Sequence, residues 1–115
     1  MKTENYAGRT RETLARNQEI ARTILEQLGR QFVALTGAFN FYALDSGLQF
    51  QLKGGTKDGI NKVRIVLTSG DDYSLTFYKG AGIEVAHVSG IYNDNLQDVF
   101  EHHTGLFTTL FARRG

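Results

Sequence analysis

The sequence contains no cysteine and no proline. Without thiols there are no disulfides, iron–sulfur clusters, cysteine zinc sites or thiol nucleophiles. A 115-residue chain can nevertheless bury a real core without such staples. Without proline, the turns must be built from glycine, of which there are 13, and from Asn and Asp. A basic excess is also missing. Thirteen Lys and Arg face 12 Asp and Glu, a formal charge of +1, whereas a dedicated duplex-DNA binder usually carries a marked surplus. No apolar run approaches the length of a membrane span. The first residues, Met1 to Tyr6, are polar and form no signal peptide, so the expectation is a cytoplasmic chain with no membrane partner.

What remains is the composition of one globular domain, 41% hydrophobic and 22% charged. Residues 1–115 read as a single unit, with 1–9 as a frayed end. Leu14, Ala21, Ile24, Leu25 and Leu28, widened by Ile20, follow helical spacing. They predict a helix over 10–28, with Thr10 as N-cap and Gly29 as left-handed stop.

The period then changes to two. Gln31–Thr36 and Phe39–Leu44 read as short strands about a turn at Gly37. Leu48, Phe50 and Leu52, then Val63, Ile65 and Leu67, then Tyr73, Leu75 and Phe77 alternate with polar residues, and Ile83–Val88 follows. Short connections such as Ser69–Asp72 and Lys79–Gly82 favour antiparallel neighbours in a meander.

Helical spacing returns over 91–104, where Tyr92, Leu96, Val99, Phe100 and His103 share a face. Ser89 or Asn93 is the candidate cap, and Gly105-Leu106 has the form of a Schellman stop. Leu106–Phe111 is an apolar tail that needs a packing partner. The pattern predicts an α+β fold, a curved antiparallel sheet of five to six strands flanked by an N-terminal and a C-terminal helix.

No catalytic constellation emerges, and the expectation is a non-enzymatic domain with no cofactor and no metal. His102 and Asp98 lie four apart on a helix, but the His-Glu-x-x-His pattern is absent. His103 continues the apolar face. Strict alternation puts Glu84 and His87 on opposite strand faces, against a dyad. Gly80-Ala81-Gly82 and Asp71-Asp72 read as turns.

Two surfaces attract attention instead. If the apolar alternation points inward, the other sheet face carries Gln49, Gln51, Lys53, Lys62, Arg64, Thr76 and Tyr78, joined by Tyr42. Lys53, Lys62 and Arg64 would neutralise phosphates and Tyr78 and Tyr42 would stack on bases, a pattern suited to single-stranded nucleic acid. An ordinary solvated sheet face is polar too. Phe39, Phe41, Phe107 and Phe111 form the second surface. They exceed what so small a core needs and point to a partner-binding or self-association surface, with a homodimer as one form.

Three stretches, Leu28–Ala38, Lys62–Thr68 and Gly90–Leu110, resemble a group of small proteins of bacteriophages and other mobile elements. The group has no functional motif to carry over. The resemblance implies a bacterial host cell and, by analogy, an accessory protein that binds a host macromolecule, such as an anti-CRISPR-like counter-defence inhibitor. Single-stranded nucleic-acid binding is the alternative.

Overall fold

A computed structural model describes residues 11–110. Helix α1 spans Arg11–Leu28 because Asn17, Ala21, Ile24 and Leu28 recur on one buried face. Leu14 does not join that stripe and is 48% exposed. The buried position it was expected to share is filled by Asn17, whose amide is hydrogen-bonded through both its nitrogen and its oxygen. Its Nδ2 donates to Asp45 Oδ1 at 2.9 Å, and its Oδ1 accepts from Ser46 N at 3.0 Å.

The segment read as a first strand is a single helical turn, α2, Phe32–Thr36. Its β-branched Val33 and Thr36 mimic a strand, but the buried residues are Phe32 and Thr36, four apart. Thr36 Oγ1 donates back to Phe32 O at 2.7 Å, and Gly37, at φ 71°, ends the turn. Five strands follow: β1 Phe39–Leu44, β2 Gly47–Gln51, β3 Ile60–Leu67, β4 Tyr73–Lys79 and β5 Ile83–Ile91. They form one antiparallel meander in the order β1-β2-β3-β4-β5. The sheet is therefore open, with β1 and β5 as its edges.

Helix α3, Leu96–Thr104, starts later than its spacing suggested, because β5 runs on to Ile91. Ser89 lies within β5, Asn95 holds the N-cap position, and Tyr92 is 53% exposed, off the helix. Gly105 stops α3 at φ 77° as expected.

Leu48, Phe50, Leu52, Val63, Ile65, Tyr73, Leu75 and Phe77 are all buried on the inner face, with Leu67 half-buried. Both long helices add to this core through Ile24, Leu28, Leu96 and Phe100. Phe32 meets Phe50 and Phe100 edge-on at 5.2 and 5.3 Å, an arrangement that suits the ring quadrupoles. Gln97 Nε2 donates to Leu28 O at 2.8 Å and so ties α3 to the end of α1.

The apolar tail is only partly apolar in its packing. Leu106 packs against the core and Thr108 is fully buried. Glu101 Oε2 accepts from both the N–H and the hydroxyl of Thr108 at 2.7 Å. Gln31 Oε1 takes Thr109 Oγ1 and Leu110 N. Phe107 and Leu110 stay 68% and 65% exposed. Phe111, like Thr10 and residues 1–9, lies outside the described residues.

Candidate functional site

Register brings the outer-face residues into two continuous rows. Directly opposed residues share a face. The first row runs Tyr42, Gln49, Arg64, Thr76, His87, one residue from each strand. The second runs Phe39, Gln51, Lys62, Tyr78, Glu84. Tyr42, Lys62, Arg64 and Tyr78 thus stand on one surface. Lys53, just beyond β2, joins its margin with Nζ 5.3 Å from the centre of the Phe39 ring.

A β-bulge makes this arrangement, and strict alternation missed it. Between the pairs Phe77–Ala86 and Tyr78–Glu84, β5 carries one extra residue, Val85. Glu84 and His87 therefore face the same side, not opposite sides. His87 Nδ1 lies 2.9 Å from Thr76 Oγ1 on that face, and Glu84 opposes Tyr78.

A second bulge shapes β1. Phe39 pairs with Gln51 and Tyr42 with Gln49, so one extra residue intervenes, and Asn40 takes a left-handed conformation at φ 55°. The bulge separates the two phenylalanines grouped in the sequence. Phe39 turns to the outer face, whereas Phe41 reaches inward to within 5.7 Å of the Phe50 ring. Phe107 belongs to a third region, the segment after α3.

The two tyrosines also differ. Tyr78 already has cations on it: Lys62 Nζ lies 4.7 Å and Arg64 Cζ 5.5 Å from its ring centre. Such contacts contribute about 0.5–1 kcal/mol at exposed sites. Arg64 also donates from Nε and Nη2 to Gln49 Oε1, at 3.2 and 2.8 Å. Tyr42, by contrast, is 61% exposed.

On the other side of β1 lies an apolar groove against α1. Ala21, Leu25, Phe41, Tyr42, Ala43 and Leu48 line a depression of about 250 Å³, bordered by Gln18 and Arg22. A second depression of about 400 Å³ joins Leu14 and Asn17 of α1 to Ala43 and Leu44. All of Asn40–Ala43 is exposed, and no residue of β1 is charged. Nothing in the pattern reading marked this groove, because it depends on which strand becomes the edge.

Of the two histidines of α3, His103 packs against the sheet. His103 stacks on Phe77 with ring centres 4.8 Å apart, and His102 is exposed with its ring edge-on to His103. Burial holds the His103 pKa below its ordinary 6.5. His102 and Lys57 push the same way, and Asp58 opposes them. A histidine kept neutral by the fold takes up its proton more readily when unfolded. Its contribution is therefore complete above pH 6.5 and is lost as pH falls through 6.5 toward the depressed value. We expect His103→Phe, measured by urea unfolding across that window, to lose less stability on acidification than the wild type. An equal loss in both would remove His103 as the cause.

Among the described residues, no three His, Asp or Glu side chains gather where they could hold a metal ion. No described helix is long and apolar enough to cross a membrane. No protein-family model, curated protein or solved structure matches the chain.

Proposed function

We propose that the chain is a non-enzymatic accessory domain that binds a partner protein along β1. An extended segment of the partner would add to the sheet edge, with alternate apolar side chains in the groove against α1. Main-chain hydrogen bonds supply affinity in this mode, and pockets beside the edge supply selectivity. In the bacterial setting that the phage resemblance implies, the partner is a host protein and its occlusion is the counter-defence act.

The observation that carries this reading is the contrast between the two sheet edges. Edge strands of soluble proteins are normally guarded by charge, proline or bulges. β5 is guarded: it carries Glu84, a bulge at Val85 and a second irregularity near Gly90, which sits at φ 73°. β1 has its bulge between Phe39 and Tyr42, and from Tyr42 to Leu44 it is regularly paired and uncharged, with Tyr42 and Ala43 exposed above apolar side chains.

Site-specific photo-cross-linking tests the reading. A photoreactive residue at position 43, in cells of a bacterial host, is expected to give one dominant adduct with another protein. The same residue at position 84, on the guarded edge, should not. No adduct at 43, or an adduct only with a second copy of the chain, would defeat the reading, the latter in favour of the homodimer.

A further inference from the structure

We propose that the β1–β3 half of the outer sheet face binds single-stranded nucleic acid, with a keto base on Tyr42 and the adjoining phosphate on Lys62 and Arg64. This surface adjoins the partner groove and shares Phe41 and Tyr42 with it, but its polar lining, Gln49, Gln51 and Lys62, belongs to the outer face of the sheet.

The site is an open depression of about 500 Å³ lined by Asn40, Phe41, Tyr42, Gln49, Gln51 and Lys62. That volume is within the range of small-ligand sites. Its position follows from charge. Lys53, Lys62 and Arg64 stand on or beside β2 and β3, whereas Glu84 at the β5 end of the second row repels phosphate. A strand carrying one negative charge per nucleotide is thus held to the β1–β3 half. Tyr78 is the ring on which the two cations rest, so the base platform is Tyr42, whose ring is largely exposed.

The amides around it are oriented. Gln49 Oε1 is occupied by Arg64, which leaves the Gln49 NH₂ facing away from that contact. Gln51 Oε1 accepts from Asn40 Nδ2, which leaves the Gln51 NH₂ and the Asn40 Oδ1. Among the described residues these groups have no other hydrogen-bond partner. The depression therefore offers two donor groups and one acceptor. Thymine and uracil present two carbonyl acceptors and one N3–H donor, the complement of that set, whereas the pairing edge of guanine has one acceptor and two donors. Cytosine and adenine carry an amino group where the keto bases carry oxygen.

Fluorescence anisotropy with labelled oligothymidylate and oligodeoxycytidylate decides the matter. The wild type should bind oligothymidylate at low salt and more tightly than oligodeoxycytidylate. Three cations predict a log–log salt slope of about −2, taking the single-strand coefficient. Tyr42→Ala should weaken binding about tenfold, within the range for loss of one stacked base, while Tyr42→Phe retains it. Lys62→Glu with Arg64→Glu should abolish it. Tyr78→Ala should leave affinity within about twofold, since a stacking role for that ring would cost more. Tyr42 is a surface residue, so its variants keep the fold, which circular dichroism verifies. Failure of the wild type to bind at low salt, undiminished binding by Tyr42→Ala, or preference for oligodeoxycytidylate would each overturn the proposal. Competition by thymidine monophosphate at equal concentration would also overturn it, by making the site one for a free nucleotide.

Discussion

Phe50→Ala is expected to cost about 3–5 kcal/mol, the range for deleting a fully buried phenylalanine. Phe50 is 0% exposed and lies where the chain's far-apart pieces meet. Its ring is 5.2 Å from Phe32 of α2, 6.1 Å from Phe100 of α3 and 5.7 Å from Phe41 of β1. The edge-on and tilted geometries mean that removal forfeits aromatic contacts as well as buried area. Neighbouring strands and helices cannot close in on the space without breaking their own pairings, so a cavity remains. Against a total stability of about 5–15 kcal/mol, the loss is a large fraction. Urea unfolding should show the midpoint lowered by more than about 1 M at an unchanged slope. A loss below about 0.5 kcal/mol, typical of an exposed position, would mean that Phe50 is not in the core.

Gly47→Ala is expected to destabilise for the opposite reason. A β-carbon at Gly47 would lie 2.4 Å from Ile65 O, with Val66 Cα at 3.1 Å and Val66 Cγ2 at 3.2 Å. The nearest atom is backbone of β3, so it cannot rotate away. Gly47 opens β2 and pairs with Val66, so the added methyl must push the first β2–β3 pair apart. Overpacking of this kind costs about 1–3 kcal/mol. It should also speed amide exchange at that end of the β2–β3 ladder. Gly54→Ala is the control, because nothing lies within 4 Å of a β-carbon there. Equal stability of the two alanine variants would rule out the close approach.

Phe50 was legible in the sequence and Gly47 was not. Leu48, Phe50 and Leu52 announce a half-buried strand through simple alternation, and the inner face of β2, β3 and β4 follows from the same period. A glycine needed for close approach leaves no such trace, because its role is set by a backbone brought from β3. The same division runs through the candidate sites. Alternation puts Lys62, Arg64 and Tyr78 on one face, as found, because β3 and β4 pair without a break from Lys62 to Leu67. Glu84 and His87 were separated wrongly, since Val85 inserts an extra residue that no composition signal reveals. Phe39 and Phe41 look alike in the chain, yet the left-handed Asn40 sends them to different faces. Val33 and Thr36 suggested a strand where Phe32 and Thr36 bury one side of a helical turn. Local β-propensity lost there to tertiary packing. Asn17, a polar residue in an apolar stripe, makes sense only once Asp45 and Ser46 arrive from the β1–β2 turn.

The β1 edge, on which the proposed partner binding rests, is the feature least visible in sequence. Among the described residues, the meander leaves β1 unpaired on one side while α1 supplies apolar walls. A direct measurement is the affinity of the cross-linked partner, once purified, for the wild type and for Leu14→Lys with Ala43→Lys. Both positions are exposed, so the two lysines leave the fold intact while placing charge beside the groove and on the edge. Titration calorimetry should show binding by the wild type and a loss of at least about tenfold in the double variant, with Ile83→Lys on β5 unaffected. Equal affinity for the wild type and the double variant would show that the partner docks elsewhere and that β1 is not the functional edge.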